Sequence, residues 1–429
     1  MEGFVIGALA LLGLCIGLPI AFVILLVVVL LVATDPFVNF GAITPLLVQG
    51  MDSFVLLAIP LFVLVGVIMN GGGVTQRLLD LAVVLVGHFR AGVAQVNILA
   101  SMIFAGMSGT STSDVAGLGR VEIPMMIKEG FRPETAAVVT AVSATIGPII
   151  PPSVPFILYG ALTGVSVGKL FLGGMIPGIL LGLWLMAVVH LLARTGRISA
   201  ARLRAPPRFA NIVAAVRRSA WALLTPVILL GGLVGGLFTA TETAGVALVY
   251  AIFITRFVYR DTTFRGLFEM FCESAEYVGV IMLVVAAANV FGWLMIQAGA
   301  ADAILDFVRS SNQGPLMTLV LLNVVLLILG MFVEATSMII LLSPILLPLV
   351  KFTGVDPVHF GVVFVLNMMI AVITPPVGIC GMIAADIAGV SMQRFAREAI
   401  PYVFAMIAFL FFIVFVPAVV TFLPNLLFQ

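Results

Sequence analysis

The chain reads as long apolar runs interrupted at intervals by glycine, proline and short polar clusters. A bilayer core about 30 Å thick takes roughly 20 apolar residues per helical crossing. Phe4–Val32, Ile179–Leu192 and Tyr402–Val420 approach or meet that length, and Trp221–Phe238 and Thr243–Thr255 are further candidate spans. In lipid a helix satisfies its own backbone donors and acceptors, so the pattern predicts an all-α, multi-pass membrane protein. Composition strengthens this: 62% of the 429 residues are apolar and 9% charged, more apolar surface than a fold with a water-facing side needs. The first run follows Met1-Glu2-Gly3 with neither a basic n-region nor a small-residue cleavage site, and reads as a retained span.

Charge placement adds orientation. Arg194, Arg197, Arg202, Arg204, Arg208, Arg217 and Arg218 fall together with no acid among them, which marks a cytoplasmic loop. Arg256, Arg260 and Arg265 follow two spans later, and an even number of crossings returns the chain to the same side. Such short loops between spans do not suit a nucleic-acid surface. Cys15, Cys272 and Cys380 lie far apart in apolar surroundings and read as buried, inert thiols with no disulfide or metal spacing. His88, His190 and His359 are isolated near span ends and read as interfacial; no transition-metal site is expected.

The breakers repeat. A shift of 224 residues aligns Gly106, Pro124, Gly130, Pro133, Pro151, Pro152 and Pro177 with Gly330, Pro348, Gly354, Pro357, Pro375, Pro376 and Pro401. Chance supplies roughly one such identity in a window of that length. A shift of 226 aligns Asn97 with Asn323. The expected organisation is scaffold spans over 1–53, a first repeat over 54–191, a basic loop and connector spans over 192–276, a second repeat over 277–416 and a tail over 417–429. The shift leaves open whether the halves are parallel or inverted.

Helix breakers matched across two apolar halves point to the site of a secondary transporter. Broken backbone at membrane depth persists only where protein buries it or a wet cavity borders it. The first half breaks at Gly106–Asp114, expected as the tip of a re-entrant hairpin near 96–120 with a short second arm, and at Gly147–Ser153, inside a broken helix near 135–162. The second half breaks at Gly330–Ser337, in a hairpin near 319–345, and at Ile373–Gly378, in a broken helix near 358–386. Adjacent prolines remove amide donors and leave carbonyls without partners. With Ser and Thr hydroxyls these carbonyls form oxygen-only cages suited to hard cations, and helix N-termini beside them suit anions. Thr110, Ser113, Ser153, Glu334 and Ser337 are candidates for the substrate cavity. Among acids in apolar surroundings, Asp114 and Asp386 suit either a helix cap or a site, whereas Glu242 and Glu334 read as functional because Gly and Thr around them leave room for a cage.

Ala105–Asp114 with Glu122-Ile123-Pro124, the run Gly147-Pro148-Ile149-Ile150-Pro151-Pro152-Ser153, and Ile373–Gly378 resemble the large membrane subunit of tripartite ATP-independent periplasmic (TRAP) transporters, nearly end to end. The resemblance implies an elevator-type importer of the ion-transporter superfamily with two inverted repeats, sited in a bacterial or archaeal cytoplasmic membrane. It implies sodium as coupling ion, no cofactor, a small organic anion such as a dicarboxylate or sugar acid as cargo, and two partners: a small four-helix membrane subunit and a periplasmic substrate-binding protein. Carried over by motif position, one sodium site involves Ser108, Ser111, Gly147, Ile150 and Pro151, and the other Gly330, Thr336, Thr374, Pro375 and Gly378. Glu334 departs from the pattern near the second tip, where an aspartate or a smaller residue is expected. A divalent-anion:sodium symporter that needs no binding protein shares the same logic and stays as the alternative. Gly164-Val165-Ser166-Val167-Gly168 matches a hydrolase elbow by letter but lacks its strand–turn–helix setting, and no His-Glu-x-x-His or phosphate-binding Gly-Lys-Ser/Thr loop occurs. An enzyme or an ATP-driven pump is therefore not expected.

Overall fold

The computed structural model describes residues 18–34, 41, 43–71, 73–199, 206–297, 299, 306 and 314–428. Cys15, Arg202, Arg204 and the start of the first apolar run lie outside the described residues. Every regular element among the described residues is helical. Ile20–Thr34 (α1), Ile43–Met51 (α2), Ala58–Gly71 (α3) and Val74–Val86 (α4) lead into Gly92–Ser108 (α5), Ser111–Gly117 (α6), Gly119–Lys128 (α7), Pro133–Ala144 (α8), Val154–Thr163 (α9) and Val167–Arg194 (α10). Then come Phe209–Val234 (α11), Ala240–Phe253 (α12) with a π-turn over Ile254–Val258, and Phe264–Gln297 (α13). Pro315–Gly330 (α14), Ala335–Phe352 (α15), Pro357–Ala371 (α16), Ile379–Ala388 (α17), Met392–Phe415 (α18) and Ala418–Leu427 (α19) complete the order. Among the described residues six helices are long and apolar enough to cross a membrane: α10, α11, α12 with its π-turn, α13, α15 and α18. Large apolar side chains such as Phe404, Phe268 and Val249 are exposed on them, as a lipid-facing surface requires.

The ends of the broken segments are set locally. Pro133 and Pro357 each stand at the first helical position, where the missing amide costs nothing. Asp356 caps α16 by accepting from the amides of Val358 (2.7 Å) and His359 (3.1 Å). Ser153 caps α9 by accepting from Phe156 N at 3.2 Å, and Gly164, with φ 74°, ends it. Ser166 then caps α10, so the Gly-x-Ser-x-Gly run is a turn between two helices.

Both arms of the first hairpin, α5 and α7, pack against α8; both arms of the second, α14 and α15, pack against α16. A buried polar clamp joins each first arm to its half-helix. Asn97 Nδ2 donates to Thr140 Oγ1 (2.7 Å) and Ser143 Oγ donates to Asn97 Oδ1 (2.6 Å). Asn367 Nδ2 donates to the carbonyl and the side-chain oxygen of Asn323, each at 2.9 Å. The two broken segments run in opposite directions. Arg132, at the start of the first, pairs with Glu398 (2.9 Å) beyond the end of the second. Tyr159, near the end of the first, donates to the Pro357 carbonyl (3.1 Å) at the start of the second.

Several expectations need correction. The second arm of the first hairpin is not short: Gly117-Leu118 bends the chain without stopping it, because the Leu118 amide still bonds the Asp114 carbonyl. Arg217 and Arg218 lie inside α11 rather than in a loop, since that helix has 26 residues and its first turns exceed a crossing. His359 is buried, with Nε2 3.0 Å from the Ile413 carbonyl, because α18 packs over the start of α16. Cys272 is exposed on α13, while Cys380 is buried.

Candidate ion and substrate site

Each hairpin tip is tied to the break of its own half. At the first tip the chain turns through Gly109 (φ 70°), whose carbonyl accepts from Val154 N at 3.2 Å. The approach is close enough that a methyl group on Gly109 would stand 2.7 Å from the Pro152 carbonyl oxygen, so only glycine fits. At the second tip the Met331 carbonyl accepts from Val377 N at 3.2 Å, and Gly330 lies against Ala371. The Pro151-Pro152 and Pro375-Pro376 bonds are both cis.

These ties bring the sequence candidates of each half together. Ser108 ends α5 and Ser111 begins α6, both buried, beside the segment that holds Gly147, Ile150 and Pro151. Among the described residues the carbonyls of Gly147, Ile150 and Pro151 accept no backbone hydrogen bond. The Ser108 hydroxyl is buried without a hydrogen-bond partner. In the second half Gly330, Thr374, Pro375 and Gly378 surround the tip, and the Thr374 and Pro375 carbonyls likewise accept no backbone hydrogen bond. Thr374 Oγ1 donates to Ile370 O (2.6 Å), which leaves its lone pairs free. Thr336 lines a narrow cleft between the tips, together with Thr110, Ser111, Pro148, Glu334 and Tyr277.

A larger cavity of about 620 Å³ opens on the other side of the first tip, between α3, α6–α7 and α13. Thr110 and Ser113 line it, as does Ser108. Ser153 and Ser337 do not. Ser153 is fully buried as the cap of α9, and Ser337 donates through both its amide (2.8 Å) and its hydroxyl (3.1 Å) to Glu334. Glu334 is therefore the cap of α15 and also a wall of the narrow cleft. The functional reading of Glu242 gives way to a structural one. Its carboxylate is exposed and accepts from Thr239 N (2.8 Å) and Thr239 Oγ1 (2.9 Å), a complete capping box at the start of α12. Threonine three residues before glutamate carried that signal in the sequence. Asp386 is exposed on α17.

Sequence reasoning missed four contributors. Asn70 on α3, Arg120 on α7, and Glu273 and Tyr277 on α13 line the large cavity. Only tertiary packing joins α3 and α13 to the tip. Asp114 is buried and sits where any side chain at Gly147 would reach: a methyl group there would be 2.4 Å from its Oδ2. Its carboxylate faces the Ser108 hydroxyl, yet neither group makes a hydrogen bond of ordinary geometry. Glu122, fully buried and equally unpartnered, lies within electrostatic reach of Asp114. Burial without compensation is costly, and unpaired buried oxygens beside free carbonyls suit a hard cation by their chemistry.

The comparisons decide the family. The family model "Tripartite ATP-independent periplasmic transporter, DctM component" matches residues 5–419. The chain belongs to that family. This TRAP large permease is 36% identical over 429 residues to the sialic acid TRAP transporter large permease protein SiaM of Vibrio cholerae, covering 99% of each chain. It is 38% identical over 409 residues to the 2,3-diketo-L-gulonate TRAP transporter large permease protein YiaN of Escherichia coli, covering 94% of this chain and 95% of that protein. It spans 66% of the length of the sialic acid TRAP transporter permease protein SiaT of Haemophilus influenzae. Among solved structures, the Alcanivorax borkumensis YdaH transporter shares the fold, with a TM-score of 0.60 at 16% identity over 93% of this chain and 96% of that one. The permease is accordingly a multi-pass inner-membrane transport protein of a non-enzyme family.

Proposed function

We propose that this permease imports a small organic anion by coupling it to inward sodium movement. The observation that carries the reading is the paired tie between tip and break. Gly109 O to Val154 N and Met331 O to Val377 N hold two sets of unpaired carbonyls beside Ser108, Ser111, Thr336 and Thr374. One sodium site is assigned to Ser108, Ser111, Gly147, Ile150 and Pro151, the other to Gly330, Thr336, Thr374, Pro375 and Gly378. The repeats over 54–191 and 277–416 would carry the ions and substrate across as a moving core. α1, α2, α11, α12 and the connector around them would stay fixed together with a small four-helix subunit. One contact between these groups supports sliding, because glycine keeps it smooth: Gly106 on the hairpin lies against Pro226 of α11.

The cargo is assigned to the large cavity, which receives substrate from a periplasmic binding protein in the outward state. The names of SiaM and YiaN support an organic acid as cargo. In vesicles holding the permease with its small subunit and binding protein, uptake should require an inward sodium gradient. Ser108→Ala and Thr374→Ala should each raise the sodium concentration for half-maximal uptake. Uptake that persists without a sodium gradient refutes the coupling.

A further inference from the structure

The large cavity carries two formal charges of opposite sign, and they do not neutralise each other. Arg120 enters it from α7 and Glu273 from α13. Both side chains are exposed, and neither takes part in an ion pair or hydrogen bond among the described residues, with each other or with anything else. The remaining polar lining consists of neutral hydroxyl and amide groups, among them Asn70, Thr112, Ser113 and Tyr277. At about 620 Å³ the space is also far larger than a four-carbon diacid fills; pockets of roughly 300–1,000 Å³ enclose drug-sized ligands.

We propose that this cavity selects a monocarboxylate bearing several hydroxyl groups, of the sugar-acid class, with Arg120 pairing its carboxylate and Glu273 accepting from its hydroxyls. A planar guanidinium with no partner offers two parallel donors to one carboxylate. A second carboxylate on the ligand would find no second cation and would face Glu273 instead, and close like charges disfavour the wrong partner. Hydroxyl donors are what Glu273 and the neutral lining can use. Selection here is thus by one attractive and one repulsive element across the same space.

The inference rests on the proposed assignment of the cavity to the cargo, and its test separates it from the proposed sodium coupling. The permease with its small subunit, in nanodiscs, is heated in sodium and in potassium buffers with gluconate, succinate or glucose as probes, because a ligand that binds the folded state raises the unfolding temperature. Gluconate should stabilise the wild type in sodium, while succinate and glucose should not. Arg120→Ala should weaken the apparent gluconate affinity about tenfold or more, and Arg120→Lys should restore only part of it. Glu273→Gln should admit succinate. Succinate stabilising the wild type as well as gluconate does, no response to gluconate, or an unchanged gluconate response in Arg120→Ala overturns the assignment. If sodium alone still stabilises the wild type in those cases, the sodium-site reading survives; if sodium has no effect over potassium, that reading fails on its own.

Discussion

Gly147→Ala probes the first ion site without removing any proposed ligand. A methyl group at this position would stand 2.4 Å from Asp114 Oδ2, whereas ordinary contact begins at 3.4 Å, so the carboxylate or the broken backbone must retreat by about 1 Å. Overpacking of this kind costs about 1–3 kcal/mol in a buried setting. If about 1.4 kcal/mol of it falls on the ion-bound arrangement, sodium binds about tenfold more weakly. The assay is thermal unfolding in sodium against potassium. At a sodium concentration about ten times the wild-type Kd, binding stabilises the folded state by about 1.4 kcal/mol; a tenfold weaker site leaves about 0.4 kcal/mol. The sodium-dependent shift should therefore shrink to roughly a third, as those two values give. Gly245→Ala on α12, where an added methyl meets nothing within 4 Å, should leave the shift intact. Should Gly147→Ala fail to fold, Ser108→Ala removes a hydroxyl without adding volume and should weaken the sodium shift in the same direction. A full sodium shift in a folded Gly147→Ala protein refutes the placement of the ion.

Two further outcomes follow from the polar clamps and caps. Asn367→Ala removes both bonds to Asn323 and leaves a buried amide without its partner, so thermal stability should fall by about 1–2 kcal/mol with the sodium half-saturation unchanged; a shifted half-saturation would mean that the clamp shapes the site. Glu242→Ala removes an exposed cap on a connector helix and should leave both sodium dependence and substrate affinity as in the wild type, measured by uptake; a change in either would restore a functional role for Glu242.

Much of the fold could be read along the chain because bilayer physics is one-dimensional. A run of apolar residues of sufficient length crosses as a helix wherever it packs. The hairpin tips and breaks were legible for a related reason. Gly109 and the two Pro-Pro pairs stand at the breaks themselves, where positive φ or missing amides stop a helix, whereas Gly106 lies within α5, so the breakers mark the interruptions to within a few residues before any contact is known. The sequence also contained the 224-residue correspondence, since each half repeats the same breakers.

What the chain alone left undecided required knowing what lies beside what. The shift was compatible with parallel or inverted halves; Arg132 beside Glu398 and Tyr159 beside Pro357 decide for opposite directions. Glu242 and Glu334 looked alike as acids in apolar stretches, yet packing made the first an exposed cap and placed the second both at a helix start and at a cleft. Arg120 and Glu273 are 153 positions apart and carry no motif, so their shared cavity exists only once α7 and α13 are placed side by side. Local rules of hydrogen bonding and hydrophobicity act on neighbours in sequence and fixed the helices and their breaks. The charges that meet a ligand are neighbours in space alone, and only the tertiary structure brings them together.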